Sequence, residues 1–216
     1  MRKIPNLTKS SDGIVSRYIN RKVSIHITHF LLWIYPNIAP TTVSVFCFVL
    51  GLIGGTFIFF SFPLIGGIII QLSSIIDGCD GEIARLKNKS SKTGALLDSV
   101  FDRYADGFIL VMIIYYLQIH WTFPNTITLL FVVGLLAIIG SFMISYTATK
   151  SAKLLPHEFS RTIEGRDFRY FVLMLGGIAA FFWYFALFLA ILYIACVTNL
   201  KVIQRVYFLN KSISSE

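Results

Sequence analysis

Four aspartates lie in a strongly apolar part of the sequence and could together bind divalent cations. Asp77 and Asp80 are three residues apart, and Asp98 and Asp102 are four apart, so each pair would share one face of a helix. A carboxylate inside a bilayer is expected only where it faces a cavity, a partner or a metal. Four carboxylates at short range repel one another unless they are protonated or bridged by cations. Ligands that are all oxygen favour hard ions such as Mg²⁺ or Mn²⁺ over Zn²⁺.

Small residues and one arginine accompany these aspartates. Gly81 and Ala84 continue the face that carries Asp80, and their size lets a ligand approach the backbone. Arg85 follows them and offers a planar set of donors for a phosphate, although it also fits an anchor on the basic side of a membrane. Gly94 begins the second helix, where exposed N–H groups favour an anion.

The composition is typical of a membrane protein. The chain has 216 residues, of which 56% are hydrophobic and 14% charged, and its mean hydropathy is +0.73. We expect no cleavable signal peptide, because the first residues are polar and basic. Three cysteines far apart in the sequence do not suggest a disulfide framework.

The helical pattern predicts an all-α integral membrane protein with six transmembrane helices. Residues 12–35 repeat apolar positions every three or four residues, with basic residues between them, which is typical of an amphipathic helix lying in the interface. We therefore predict an N-terminal segment, 1–36, and a six-helix domain, 37–216. The predicted spans are about 41–61, 64–87, 94–119 and 125–148, followed by two helices within 168–208 that are separated by a turn near Phe181–Tyr184.

The basic residues predict the orientation of these spans. With six spans and both termini on one side, all but one of the 19 Lys and Arg residues fall on that side, in the clusters 2–22, 85–92, 150–169 and 201–211. The opposite connections contain no Lys or Arg. By the positive-inside rule, the basic side and the aspartate site are cytoplasmic. We expect a multi-pass protein of the plasma membrane.

A basic cluster before the fifth span could bind an anionic acceptor. Arg166 and Arg169 are three apart and share a face, and Lys150 and Arg161 precede them. Together they fit a pocket for a sugar phosphate. The alternative is a solvated loop that only follows the positive-inside rule. Asp106 continues the second aspartate pair by four residues, and for it we favour a packing role over metal binding.

The fixed positions form the pattern Asp77-x2-Asp80-Gly81-x2-Ala84-Arg85-x8-Gly94-x3-Asp98-x3-Asp102. This pattern resembles the signature of the CDP-alcohol phosphotransferase family at every position, and the likeness extends to the amphipathic helix, Pro36–Thr42 and the six spans. The resemblance implies transfer of a substituted phosphate group from a CDP-alcohol to an acceptor alcohol, with release of CMP. It implies that the four aspartates hold two divalent cations and that Asp102 is also the general base. It implies that CDP is surrounded by Thr41, Gly81, Ala84, Arg85 and Gly94.

The runs DGCDGEIAR, LLDSVFDRYAD and EGRDFRYF resemble the inositol-handling archaeal branch of this family. That branch joins CDP-inositol to inositol 1-phosphate, which gives di-myo-inositol phosphate phosphate. Its synthases are often fused to a soluble cytidylyltransferase domain, which these 216 residues do not contain. The alternative is a phospholipid synthase with a CDP-diacylglycerol or CDP-archaeol donor, such as a phosphatidyl- or archaetidylinositol phosphate synthase.

A different class of protein also has buried acids among membrane helices, namely ion-coupled transporters. A transporter would not release CMP from a CDP-alcohol, so that reaction separates the two classes. The resemblance further implies a homodimer, for which the small residues Gly134 and Gly140 offer one contact. The lipid bilayer is the expected environment, and we expect no nucleic-acid partner.

Overall fold

The structure, a computed structural model, describes residues 13–154 and 163–213. A π-helical turn, Ser16–Asn20, leads into the first α-helix, and a 3-10 turn, Pro124–Thr126, precedes the fifth. Within these ranges there is no β-strand, which confirms the all-α prediction. The helices are α1 (Arg21–Ile34), α2 (Pro40–Phe59), α3 (Pro63–Leu86), α4 (Lys92–His120), α5 (Ile127–Leu154), α6 (Arg166–Ala180) and α7 (Phe185–Ile213).

Four helical stretches are long and apolar enough to cross a membrane. They are Pro40–Phe59, Pro63–Leu86, Pro124–Ser151 and Phe185–Lys211. The helices α4 and α6 are not among them: α4 carries charged residues in its first half, and α6 has only 15 residues. The prediction of a helical chain with helices long and apolar enough to cross a membrane is therefore confirmed, and the total of six spans stays a prediction.

The main apolar core lies among α4, α5, α6 and α7. Its fully buried members include Ile109, Ile113, Leu130, Leu187 and Ile191. The helix α2 packs on both α3 and α4, and α6 packs on α3 and α7. Among the described residues, α3 and α4 are not a closely packed pair, although they follow each other in the chain. This arrangement leaves open space between the two helices that carry the aspartates.

Glycines bring α3 close to α6, and a different residue makes the turn before α3. Gly66 and Gly67 both lie inside α3. The turn before α3 contains Ser61, whose φ is 65°. A Cβ on Gly67 would lie 3.1 Å from the carbonyl oxygen of Met174 in α6. Small residues of this kind let membrane helices approach closely.

Gly134 and Gly140 of α5 are buried inside the chain and do not offer a surface to a second copy. A Cβ on Gly134 would overlap the side chain of Ile114 in α4. A Cβ on Gly140 would overlap Thr198 in α7. The predicted dimer contact at these two glycines is therefore wrong, because both already pack against neighbouring helices.

The first helix buries a polar stripe and exposes several of its large apolar side chains. Arg21, Ser24 and Thr28 of α1 are buried. Phe30 and Trp33 are exposed, and Trp33 is 78% exposed. This arrangement suits a helix whose apolar side meets lipid. The location in the interface stays a prediction, and the burial of the polar side is a finding that the apolar spacing did not predict.

Candidate active site

Three of the four predicted metal ligands converge between α3 and α4. Asp77, Asp98 and Asp102 each present one carboxylate oxygen, and these oxygens lie within 4.8 Å of one another. Asp80 lines a cavity together with all three. Its carboxylate accepts a 2.5 Å hydrogen bond from Ser44 Oγ and another from the backbone N–H of Gly81. The two pairs predicted from helical spacing therefore meet at one place, which we call the carboxylate cluster.

The carboxylate cluster also contains Arg166, the first residue of α6. Its Nη1 lies 3.1 Å from Asp77 Oδ2 and also contacts Asp102 Oδ1. Its Nε is 3.6 Å from Asp106 Oδ1, and its guanidinium carbon lies 4.8 Å from the centre of the Tyr170 ring. The sequence placed Arg166 on the acceptor side, whereas the structure places it against two predicted metal ligands. Its positive charge offsets part of the repulsion among the carboxylates.

Asp106 and Arg169 form a buried ion pair beside this cluster. Arg169 Nη2 donates to Asp106 Oδ2 at 2.5 Å, and both residues are 3% exposed. Arg169 Nη1 also donates to the carbonyl oxygen of Glu164 at 3.3 Å. These contacts fit the packing role that the sequence suggested for Asp106. They give Arg169 a structural role in addition to the predicted role in acceptor binding.

The chemistry of the carboxylate cluster fits a divalent cation. Its converging groups are carboxylate oxygens, the ligands that Mg²⁺ and Mn²⁺ prefer. Cys79, which lies between the first two aspartates in sequence, is buried and donates its thiol to the carbonyl oxygen of Ser24 at 3.4 Å. The thiol is therefore directed away from the carboxylates. The cluster is a possible metal site made of oxygen ligands.

The largest of three cavities at the cluster opens between α2, α3 and the start of α4. This large cavity has a volume of about 400 Å³ and is also lined by Asp80 and Asp98. Ser91 caps α4 by accepting a 3.0 Å hydrogen bond from the backbone N–H of Gly94. The lining includes every residue that was predicted to surround CDP: Thr41, Gly81, Ala84, Arg85 and Gly94.

Two smaller cavities reach the same carboxylates from other sides. The arginine cavity, of about 130 Å³, is lined by Asp98, Asp102 and the four arginines Arg103, Arg166, Arg169 and Arg205. The α1 cavity, of about 210 Å³, lies between α1 and the cluster, and its lining includes all four aspartates. Asp98 lines all three cavities, so they meet at the cluster.

The predicted acceptor residues are only partly brought together. Arg166 and Arg169 line the arginine cavity. Lys150 is exposed, does not line that cavity, and places its Nζ 5.7 Å from the centre of the Tyr146 ring. Arg161 lies outside the described residues. The predicted acceptor group is thus represented in the cavity by its two α6 arginines.

Arg205 is a cavity residue that the sequence did not single out. It lies in α7, and its Nη1 donates to the carbonyl oxygen of Ile144 at 3.0 Å and to Thr147 Oγ1 at 3.1 Å. Its Nη2 is 3.7 Å from Glu164 Oε1. Arg205 and Arg166 belong to different helices, so no local spacing relates them.

A buried polar network joins α1 to α3, and its centre is Glu82. This side chain is fully buried and accepts hydrogen bonds from Arg21 Nη1 at 2.8 Å, Ser24 Oγ at 2.6 Å and Thr28 Oγ1 at 2.6 Å. This network was not predicted from the sequence. The available signal was the polar stripe at Arg21, Ser24 and Thr28, whose spacings are three and four.

A family model for CDP-alcohol phosphatidyltransferases matches residues 34–205 of the sequence. The chain belongs to this family. The match covers most of the chain and contains the helices α2 to α6 entirely. The aspartate pattern that suggested the resemblance lies within it.

Curated relatives of this family resemble the chain over most of its length. The protein named bifunctional IPC transferase and DIPP synthase from Aquifex aeolicus is 35% identical over 207 residues, which are 93% of this chain and 45% of that protein. The Thermococcus kodakarensis protein of the same name is 35% identical over 217 residues, covering 95% and 46%. The chain therefore spans about half the length of these relatives. The archaetidylinositol phosphate synthase of Pyrococcus horikoshii is 26% identical over 171 residues, covering 79% and 83%.

Solved structures share the fold. The Mycobacterium tuberculosis phosphatidylinositol phosphate synthase PgsA1 with CDP-DAG bound matches with a TM-score of 0.70 and 19% identity, over 87% of this chain and 94% of that chain. Its complex with manganese and citrate matches with a TM-score of 0.70 and 21% identity, over 87% and 88%. At these identities the likeness concerns the arrangement of helices.

Proposed function

We propose that this protein is a membrane transferase that moves a substituted phosphate group from a CDP-alcohol to an acceptor alcohol and releases CMP. The observation that carries the proposal is the position of the carboxylate cluster, where three cavities meet. Transfer at a phosphorus atom requires room for the leaving nucleotide, the incoming alcohol and the alcohol that is transferred. Membership in the CDP-alcohol phosphatidyltransferase family supports this reaction type.

The four aspartates are proposed to hold two divalent cations, Mg²⁺ or Mn²⁺. When bound, such ions neutralise negative charge on the phosphate oxygens of the donor and favour in-line attack. The convergence of Asp77, Asp98 and Asp102, with Asp80 in the same cavity, supports this ligand set. PgsA1, which shares this fold, was solved in complex with manganese, and this supports a divalent cation such as Mn²⁺.

Asp102 is proposed to act as the general base. It lines both the arginine cavity and the α1 cavity, so a hydroxyl group in either could approach it. Arg166 contacts its Oδ1, and Arg103 Nη1 donates to its Oδ2 at 3.2 Å. These two contacts orient the carboxylate, and the positive charge of Arg166 counters the effect of burial, which disfavours the ionised form that accepts a proton from the acceptor hydroxyl. The CMP group leaves on the side of the large cavity.

The arginine cavity suits an anionic acceptor. The charge of Arg166 and Arg169 favours a phosphate group there, and Arg103 and Arg205 line the same space. Lys150 and Arg161 remain in the proposed acceptor set on the strength of the sequence alone. A phosphorylated alcohol would place its free hydroxyl toward Asp102 while the arginines hold its phosphate.

The substrates that fit best are CDP-inositol as donor and inositol 1-phosphate as acceptor, which together give di-myo-inositol phosphate phosphate. The relatives at 35% identity, whose names include DIPP synthase, support this pair. The second candidate is a phospholipid synthase with a CDP-diacylglycerol or CDP-archaeol donor. It is supported by the archaetidylinositol phosphate synthase at 26% identity, which matches over 83% of its own length.

We further propose that α4 and α6 also cross the membrane, which gives six spans with both termini in the cytoplasm of the cell. The start of α6 lies beside Asp77, nine residues before the end of α3. Gly177 of α6 lies against Pro63 at the other end of α3, so α6 runs beside α3 from the level of the carboxylate cluster to that end. Because α3 is long enough to cross a membrane, α6 ends where α3 does on the opposite side. A homodimer in the plasma membrane remains a proposal from the family resemblance.

The experiment that tests the proposed function is release of CMP by the purified protein. The donors are CDP-inositol, CDP-diacylglycerol and CDP-archaeol, and the acceptor is inositol 1-phosphate. Each donor is tested in three conditions, namely with Mg²⁺, with Mn²⁺ and with EDTA. We expect metal-dependent CMP release and a product that contains both alcohols. Asp98→Asn is the matched inactive variant, because it removes the charge of a cluster carboxylate with little change in shape. Absence of CMP release from every donor would refute the proposed function.

A further inference from the structure

The α1 cavity has a polar wall. Every residue that lines it is polar, charged or glycine, and no aliphatic or aromatic side chain of the described residues contributes to it. Its neutral polar members are Ser16, Asn20 and Ser24 on the N-terminal side and Ser74 on α3. An acyl chain in this space would meet no apolar surface and would bury the hydroxyl groups of Ser16 and Ser74 against hydrocarbon, which is unfavourable.

Hydrogen bonds hold this wall in place. Gln71 Nε2 donates to Asn20 Oδ1 at 3.0 Å, and Asn20 Nδ2 donates to Ser74 Oγ at 3.2 Å. Ser74 Oγ is the acceptor of that bond, so its own hydroxyl hydrogen is able to donate to a ligand. The backbone N–H of Ser16 donates to Asp167 Oδ2 of α6 at 2.7 Å. The polar groups are thus positioned by the protein before any ligand binds.

The position of the α1 cavity relative to the other two cavities indicates which part of the substrates it binds. The large cavity contains the residues expected around CDP, and the arginine cavity has the charge expected for an anionic acceptor. The α1 cavity shares Asp80, Gly81 and Asp98 with the large cavity, so a group there would lie next to the nucleotide across the cluster. The remaining substituent on the donor phosphorus is the alcohol that is transferred.

We propose that the α1 cavity binds the transferred alcohol of the donor, and that Ser16, Asn20 and Ser74 select a polyol over a lipid. The inference rests on the proposed function and adds the residues that choose the donor. A polyol offers several hydroxyl groups, each able to donate and to accept a hydrogen bond, and the wall supplies the matching groups. A site built to bond hydroxyl groups rejects an analogue that lacks them, because its own polar groups are then buried without partners.

The test is two-substrate kinetics on Ser74→Ala and Ser16→Ala, with CDP-inositol and inositol 1-phosphate varied in turn. Loss of one neutral hydrogen bond should raise the KM for CDP-inositol about three- to tenfold. The KM for inositol 1-phosphate should stay within about twofold, because the arginine cavity is untouched. The matched control is Ser73→Ala, which removes a hydroxyl from the residue that precedes Ser74 in α3. Ser73 is buried, donates to the carbonyl oxygen of Ile70, and does not line the cavity.

The outcomes separate this inference from the proposed function. If wild-type protein releases CMP faster from CDP-diacylglycerol than from CDP-inositol, the transferase function stands and polyol selection is refuted. An unchanged donor KM in both serine variants, or a rise in the acceptor KM instead, also refutes the assignment of this cavity. A rise in donor KM for Ser74→Ala but not for Ser73→Ala supports it. Wild-type protein that releases no CMP from any donor refutes the proposed function and this inference with it.

Discussion

Replacing Glu82 by alanine should release α1 from the helices it packs on. The Glu82 carboxylate accepts hydrogen bonds from Arg21, Ser24 and Thr28, all on α1. The Arg21 side chain is only 9% exposed, so the variant removes the carboxylate that balances a buried guanidinium. Breaking a buried ion pair typically costs about 3–5 kcal/mol. Because α1 packs mainly on α3, that loss falls on the docking of one helix rather than on the whole bundle.

Hydrogen exchange in a detergent or nanodisc preparation measures this loss directly. Amides of Arg21–Ile34 should exchange about two to four orders of magnitude faster in Glu82→Ala, which is the rate change expected from the lost free energy. Amides of α5 and α7 should keep their protection.

Two further variants serve as controls for this experiment. Glu82→Gln keeps the shape but not the charge and should give an intermediate rate. Arg17→Ala removes an exposed basic residue of the same segment and should change little. Exchange in α1 that is the same in Glu82→Ala and wild type would refute the view that this carboxylate holds the helix.

Three further predictions concern the metal, the orientation and the acceptor. Asp98→Ala should abolish both CMP release and Mn²⁺ binding measured by calorimetry, and normal turnover in the folded variant would rule out its role as a ligand. In a cysteine-free background in intact cells, an impermeant thiol reagent should label Trp121→Cys but not Lys89→Cys, and the reverse pattern would invert the topology. Arg166→Ala should raise the KM for inositol 1-phosphate about ten- to a hundredfold, since charge-assisted hydrogen bonds are worth roughly 1.5–3 kcal/mol each. It should also lower kcat, because Arg166 contacts Asp77 and Asp102. An acceptor KM and kcat equal to wild type would remove the case for a phosphate in the arginine cavity.

The sequence predicted the parts of the site that depend on local spacing. Asp77 and Asp80 share a helical face because they are three apart, and Asp98 and Asp102 because they are four apart, so their convergence needed only two adjacent helices. The five residues expected around CDP lie in one cavity for the same reason, since four of them belong to the same two helices.

The contacts that the sequence did not predict join residues far apart in the chain. Arg166 reaches the carboxylate cluster because α6 begins at its level, and nothing in the run EGRDFRYF specifies that position. Glu82 is paired with a residue 61 positions earlier. Gly134 was predicted to be a dimer contact because small residues suit any helix interface, and the sequence alone does not show which helix will fill the space.

The inward polar face of α1 has a consequence for how the protein is made. The helix leaves the ribosome before α3, yet the carboxylate that satisfies its three buried donors belongs to α3. Until α3 has been made, the polar side of α1 therefore lacks its acceptor on α3 and stays in water. Docking becomes possible only after α2 and α3 have been inserted. The wall of the α1 cavity is thus completed late in assembly, so an intermediate with inserted helices and an open active site precedes the finished protein.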